Sequence, residues 1–592
     1  MKNFDHNFIK FLSDKSKHLD AVTAAKSLLN SNPNSVEAIS THAYVNINAK
    51  NYEIALKSYK RLKMINPDSF EAMFGSAICL SQLRRYNQAV DIYNQLILNF
   101  PNDFRAYMNL GVLYRQMGKF DLSKQILDQA SKLEPKNPEI FHNLAITIEH
   151  MGDLETALKI YNHVLSLNPS HFRAICNQGT IYSQKNKLDE AEEKFLRALS
   201  IKPDDELSLN NLGLVYIFKK KTHNAKTMFL KAINSNPLSG KGYINFASLN
   251  NLKCDEINLI INKLEKLIFK KASFQFYDKA LFALANLYEK RSEFRKAEQL
   301  YLMGNNYVSK FRPFNQSKNT IHYERLLDTV DIFSCSENID KKNNKNYIFI
   351  IGMPRSGTTL LESILASNNI IQPGDELPFL NKICKEFIFD KKQPLTSFNK
   401  NDLKTISNYY IENTIHLFGK NSWLIDKLPH NFQWACIIAK IFPNAKILHC
   451  HRDPMDNCWS LYRANFEQGH TYSFSMKSLG QYYAQYQNLL IQFQKVLGDR
   501  IFNVNYDELV LDPVKYSKSI FEYIGFPNFK FDESNRGKNY FSRTTSSVDV
   551  QKPISKSSLN GWKKHESFLD PLLKSLTSEQ IKLGIPIYGN NN

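Results

Sequence analysis

Seven prolines, Pro33, Pro67, Pro101, Pro135, Pro169, Pro203 and Pro237, recur at a fixed interval of 34 residues. A constant period of this length restricts the first half of the chain to a stack of like supersecondary units. Other positions keep the same phase. Small residues recur at Ala43, Ala77, Gly111, Ala145, Gly179 and Gly213, and again at Ala55, Ala89, Ser123, Ala157, Ala191 and Ala225. A large apolar series runs through Tyr59, Tyr93, Leu127, Tyr161, Phe195 and Phe229. The pattern predicts two antiparallel helices per period. Small residues let the helices approach, and the large one fills the space between them. The proline ends the second helix, because its ring clashes with the preceding turn and it has no N–H to donate. Each unit is exposed until a neighbour stacks on it, so the array is expected to form one right-handed solenoid.

The period is that of the tetratricopeptide repeat. The predicted fold class is an α-solenoid of such repeats over residues 1–311, followed by a second domain. After Pro237 the phase breaks, and 240–277 reads as a degenerate helical pair with a short insertion. Ala285, Ala297 and Tyr301 mark a last repeat at the right offsets. The expected partner of the concave face is a protein or peptide; the alternative is that the array only spaces or dimerises the second domain. Residues 312–345 read as a helical connector ending in the polar run Lys341-Lys342-Asn343-Asn344-Lys345.

The formal net charge of +19 favours anionic partners. Much of it is Lys scattered among Asn, which reads as a solvated basic surface and not as a nucleic-acid interface. Eight cysteines form no C-x-x-C pair, against a disulfide framework or zinc ribbon and for a reducing compartment. No apolar run is long enough for a membrane span or a secretion signal, so the expected location is cytoplasmic.

At Tyr347-Ile348-Phe349-Ile350-Ile351 the pattern changes to a continuous apolar run, the signature of a strand buried on both faces. Gly352-Met353-Pro354-Arg355-Ser356-Gly357-Thr358-Thr359 comes next, and then a helical pattern through Leu360, Leu361, Ile364 and Leu365. Strand, glycine-bounded loop and helix make an anion site of backbone amides. The glycine spacing is that of a Walker A loop, but Thr358 stands where its lysine belongs. A triphosphate needs that lysine and magnesium, whereas a sulfuryl group carries a single negative charge. Arg355 adds a fixed donor fork for phosphate or sulfuryl oxygens.

Pro354-Arg355-Ser356-Gly357-Thr358-Thr359-Leu360 resembles the 5′-phosphosulfate loop of sulfotransferases that use 3′-phosphoadenosine 5′-phosphosulfate (PAPS). It is most similar to the tyrosylprotein branch and to bacterial sulfotransferases bearing tetratricopeptide repeats. The resemblance implies an α/β P-loop-like domain with a parallel sheet over 346–592, PAPS as co-substrate, adenosine 3′,5′-bisphosphate as product, and no metal. Arg355, Ser356, Gly357, Thr358 and Thr359 would then hold the 5′ side of the donor.

Lys446-Ile447-Leu448-His449-Cys450-His451-Arg452-Asp453-Pro454 reads as a strand running into a helix that Asp453 caps and Pro454 opens. Arg452 and Ser460 converge there and suit a 3′-phosphate, a spacing similar to the family's motif. His449 and His451 share a strand face, but no third ligand lies at a useful spacing, so no metal is expected. Lys427, after Trp423-Leu424-Ile425-Asp426, is implied by the resemblance to meet the bridging oxygen of the donor and stabilise charge on the leaving phosphate. Pro373-Gly374-Asp375-Glu376-Leu377-Pro378 resembles the segment of the catalytic base, with Glu376 the better match and Asp375 the alternative. Tyr506 is implied to hold the nucleotide. Ser547 and Lys552 resemble closing-loop contacts to the sulfuryl and a phosphate, with Trp562 at a family-like distance. Gly352, Lys427 and Arg452 all fall at strand ends, where such sheets bind ligands. The predicted activity is transfer of a sulfuryl group to an acceptor hydroxyl, a protein tyrosine or else a glycan, lipid or small phenol. A non-catalytic repeat scaffold and a P-loop kinase are the rival readings.

Overall fold

A computed structural model describes residues 6–14, 17–269, 277–330, 346–390, 399–419, 423–467, 469–536 and 553–589. They divide into two compact units, Met1–Ile181 and Tyr182–Asn592, and the division falls within the helix Phe172–Gln184.

In the first unit the second helices of successive hairpins end at Ser31, Ile65, Asn99, Leu133 and Leu167. Each end lies two residues before its proline, as the ring clash requires. The first helices open on polar caps: Ser35 and Ser69 accept from Ala38 N and Ala72 N at 3.2 and 3.3 Å. Small and large series meet as predicted. A Cβ on Gly111 would lie 2.6 Å from Leu127 Cγ, so the glycine is what admits the leucine. Ser123, in the small series, donates to Gly111 O at 2.7 Å.

The second unit opens with the same rule: helices end at Ile201 and Ser235, before Pro203 and Pro237. Helices Gly240–Ser248 and Cys254–Phe269 form the degenerate pair, and Tyr277–Lys290 with Phe294–Phe311 the last hairpin. Ala285, Ala297 and Tyr301 are all buried. The connector carries the helix Gln316–Leu327.

Beyond it lies a five-stranded parallel sheet: β1 (Tyr347–Gly352), β2 (Ile371–Pro373), β3 (Trp423–Asp426), β4 (Lys446–His451) and β5 (Ile501–Asn505), in the order β2-β3-β1-β4-β5. Every residue of β1 is buried, because helices cover both faces of a parallel sheet. Ile348 and Ile350 share one core with Leu361, Ile364, Ile425, Leu448 and Val504, and each fully buried isoleucine contributes about 1.5–3 kcal/mol. In register, Gly352 lies beside Cys450 and Phe349 beside Asp426. The phosphate loop, Lys427 and Arg452 therefore emerge together at the carboxyl edge.

The last hairpin packs directly on this domain. Tyr301 meets Trp459 edge-on at 5.6 Å, Asn305 Nδ2 donates to Tyr462 O at 3.0 Å, and Arg312 Nη1 donates to Phe466 O at 2.6 Å. Among the described residues no helix is long and apolar enough to cross a membrane.

Candidate active site

A cleft of about 1170 Å³ opens at the carboxyl edge of the sheet. Arg355, Gly357, Thr358, Thr359, Glu376, Arg452, Ser460 and Tyr506 all line it. The structure thus brings these eight of the expected site residues to one cavity. Ser356 is buried beneath them, and Ser547 and Lys552 lie outside the described residues.

The loop is shaped for close approach. Gly352 and Gly357 have φ of +148° and +102°. A Cβ would lie 2.3 Å from Cys450 O at the first and 2.1 Å from the Tyr506 ring at the second. Arg355 itself takes φ 67°, a left-handed conformation costly for a residue with a Cβ. That backbone turns its guanidinium across the cleft, where Nε donates to Ser460 Oγ at 3.1 Å. Asn457 Nδ2 pins the loop through Pro354 O at 3.0 Å. Ser356 Oγ is buried and has no hydrogen-bond partner among the described residues. A buried hydroxyl without a partner at the head of a helix fits an anion in the cradle.

Arg452 lines the same cleft; one end of it donates to Ser558 O at 2.6 Å while its Nε is buried without a partner among the described residues. Its guanidinium lies 4.9 Å from the Tyr506 ring centre, and the Tyr506 hydroxyl pairs with Ser558 Oγ at 3.0 Å. Asp456 organises this corner. It faces Arg452 at 3.4 Å and accepts from Asn560 N and Trp562 N at 2.7 and 3.0 Å. Asp453 caps the helix Pro454–Tyr462 through Asp456 N, with Pro454 in its first turn.

Lys427 is fully buried and does not line the cleft. Its Nζ lies 2.7 Å from Asp375, 3.3 Å from Glu376 and 3.8 Å from Glu362. Burial opposes its charge, but Glu362, Asp375 and Glu376 outweigh it and raise its pKa. Glu376 is open to the cleft at its mouth, 43% accessible. Desolvation raises its pKa, Lys427 opposes, and Asp375 adds to the rise. A carboxyl poised above its ordinary range is suited to take a proton near neutrality. Asp375, in contrast, is committed to Lys427. It sits at φ 57° with its N–H on Glu362 at 3.0 Å. Behind them burial pushes Asp426 up to about 7, against the Tyr410 hydroxyl at 2.9 Å.

Part of the cleft wall is aromatic. His430, Phe466 and His470 line it, with His470 4.9 Å from His430 and 4.3 Å from Phe466, ring centre to ring centre. Burial holds His430 well below the usual imidazole range and His470 at about 4, so both are neutral at pH 7. His449 spends both nitrogens on Asn503 and Tyr486, at 2.8 and 2.5 Å, which leaves neither for a metal. In the first unit Glu139, His142 and His171 gather with candidate ligand atoms within 4.8 Å. His171 Nδ1 accepts from Ala174 N at 3.1 Å, so Nε2 carries the proton that Glu139 receives at 3.1 Å, a hydrogen-bonded arrangement.

Sequence reasoning missed Glu362, Asp456, Arg463, His430 and His470. Glu362 carried a findable signal, a charged residue within an otherwise apolar helix face after the loop. Each of the others has a partner far along the chain, Asp456 at Asn560 and Trp562, Arg463 at Glu289, and His430 and His470 each other.

Residues 347–531 match the model of the family described as "Sulfotransferase family". Tetratricopeptide-repeat models match 82–145, 138–171, 179–217, 208–237 and 280–303, the last covering the repeat placed by Ala285, Ala297 and Tyr301. An uncharacterised protein of Aquifex aeolicus is 28% identical over 328 residues, 52% of this chain and 42% of its own length. The protein-tyrosine sulfotransferase of Drosophila melanogaster is 24% identical over 36% of this chain and 46% of its own. Protein-tyrosine sulfotransferase A of Caenorhabditis elegans is 26% identical over 36% of this chain and 60% of its own. The chain thus spans about half the length of the curated relatives it matches. With the lysine-free phosphate loop, Arg452 and Ser460 lining one cleft, residues 347–531 form a sulfotransferase-family domain that follows tetratricopeptide repeats in the sequence.

Proposed function

We propose that the chain is a sulfotransferase that moves a sulfuryl group from PAPS to an acceptor hydroxyl. The observation that carries this is the gathering of two guanidinium groups in one cleft, Arg355 with the loop amides and Ser460, and Arg452 beside Tyr506. A nucleotide bearing phosphates at both ends of its ribose would meet a cation at each in such a cleft. In the proposed reaction the acceptor oxygen bonds to sulfur in line as the bond from sulfur to the phosphate oxygen breaks. The hydroxyl proton goes to Glu376, and the electron pair leaves with adenosine 3′,5′-bisphosphate. Arg355 stabilises charge on the transferring group. Lys427 would stabilise the leaving oxygen once it turned from Asp375 toward the cleft, and Ser547 would assist it. Thr359, Tyr506 and Lys552 complete the proposed donor contacts.

The acceptor we propose is a tyrosine of a protein or peptide. The rings of His430, Phe466 and His470, which line the same cleft as Glu376, support a phenol, as do the names of the fly and nematode relatives, and the repeats would recruit the protein that bears it. Free thiols at Cys79, Cys176, Cys254, Cys384, Cys436, Cys450 and Cys458 support a reducing, cytoplasmic location. Residues 1–311, 312–345 and 346–592 would serve as recruiting array, connector and transferase.

The test is calorimetric titration of the full chain with adenosine 3′,5′-bisphosphate, beside ATP with magnesium. Tight binding of the bisphosphate and weak binding of ATP is expected. Preference for ATP would assign a kinase instead, and binding of neither a scaffold.

A further inference from the structure

The repeats do more at this cleft than present a surface elsewhere. Asn250, Asn286, Glu289, Lys290 and Phe294, all from repeat helices or their connections, line the same cavity as the donor corner. Two carboxylates of the last hairpin reach across. Glu289 Oε2 accepts from Arg463 Nη1 at 2.9 Å, and its Oε1 lies 3.5 Å from His565 Nε2. Glu298 Oε1 lies 2.7 Å from His565 Nδ1. Arg463 comes directly after the helix that carries Ser460. His565 ends the segment that carries Ser558, Asn560 and Trp562, the groups that hold Arg452 and Asp456. Trp459 lies between them, 4.4 Å from His565 and 5.6 Å from Tyr301 of the repeat.

Glu289 therefore ties together the segment that carries Ser460 and the segment that holds Arg452, and Glu298 braces His565 on the second. Both are nearly buried, 14% accessible, and His565 is 3% accessible. Water competes little for these contacts. Burial works against the Glu289 charge, but Arg463 and His565 hold its pKa below the ordinary carboxylate range. It is therefore an anion at neutral pH, matched to a guanidinium.

We infer that Glu289 and Glu298, residues of the last tetratricopeptide repeat, are positioning residues for the 3′-phosphate corner formed by Arg452 and Ser460. The inference rests on the donor reading proposed for this cleft. It makes the last repeat part of the donor site, and it gives any strain imposed on that repeat a route to donor affinity.

The experiment titrates the full chain with two probes, adenosine 3′,5′-bisphosphate and adenosine 5′-monophosphate. Their affinity ratio reports the 3′-phosphate corner alone. Wild type is compared with Glu289→Gln, Glu298→Gln and, as a control on the same seam, Lys279→Ala, which removes the contact to Glu467. Glu289→Gln and Glu298→Gln should each lower the ratio, Glu289→Gln by about tenfold, while monophosphate affinity changes little. Lys279→Ala should leave the ratio unchanged. A general loosening of the seam would lower both affinities together and leave the ratio intact, and that result would overturn the inference. So would an unchanged ratio in both carboxamide variants. If Glu289→Gln does not fold, Glu298→Gln, which spares the Arg463 pair, decides alone. A wild-type chain that does not distinguish the two probes would refute the donor reading itself, a separate result.

Discussion

Replacing Lys427 by methionine tests the buried charge arrangement behind the cleft. Methionine keeps the apolar stem and most of the volume, so the cavity cost is small. What is lost is a cation 2.7, 3.3 and 3.8 Å from three carboxylates, of which Glu362 has no solvent access at all. Breaking a buried pair in this way costs about 3–5 kcal/mol. The second unit has roughly 410 residues, and an unfolding entropy of about 2.1 cal/mol/K per residue converts that cost to a melting shift of about 3–6 °C. All four tryptophans, Trp423, Trp434, Trp459 and Trp562, lie in this unit, so intrinsic fluorescence tracks its unfolding without a signal from the first. The deficit also has a sign in pH. Lys427 lowers the pKa of Glu376, which burial raises from 4.5. Without it the folded-state value rises further above the unfolded one. A group raised in this way contributes stability below its unfolded pKa and loses it as pH rises through the folded pKa. The variant should therefore be nearest to wild type in acid, around pH 4, and fall furthest behind at neutral pH. A shift under about 1 °C at pH 7, or a deficit that grows toward acid, would refute the reasoning.

Glu376→Gln should lower turnover about 10²- to 10⁴-fold with bisphosphate affinity retained, and in wild type the acid limb of the rate should lie above the ordinary glutamate range because Glu376 is raised; a limb at or below that range would reassign the base. A fragment of residues 182–592 should melt cooperatively by tryptophan fluorescence, whereas 346–592 should not, because the shorter piece strips Tyr301, Asn305 and Glu289 from Trp459, Tyr462 and Arg463; a stable, cooperative 346–592 would show that the last hairpin is dispensable.

The repeat helices were legible because proline acts locally: each second helix stops two residues before its ring, and no tertiary contact is needed to know it. The phosphate loop was legible for a similar reason, since Gly352 and Gly357 stand where a Cβ has no room. The contrast in surroundings between Asp375 and Glu376 was not. It turns on which carboxylate Lys427 holds closer, 52 residues away in sequence. Nor was the seam: Arg463 and Glu289 are separated by 174 residues, and neither is unusual among its neighbours. Lys427 was legible as a residue near the site but not as one turned away from the cleft, because the orientation is set by Glu362, on the phosphate-loop helix, as much as by Asp375.

The seam between the last hairpin and the sheet also sets what a chain of this design can vary. Hairpins within residues 1–181 close a core of their own, and none of the described residues lining the cleft comes from them. Copies could be gained or lost there by duplication of a 34-residue cassette without disturbing catalysis. The hairpin bearing Glu289 and Glu298 has no such freedom. A lineage of these proteins should accordingly differ in repeat number upstream while keeping its terminal repeat, so that reach evolves at one end and chemistry is held fixed at the other.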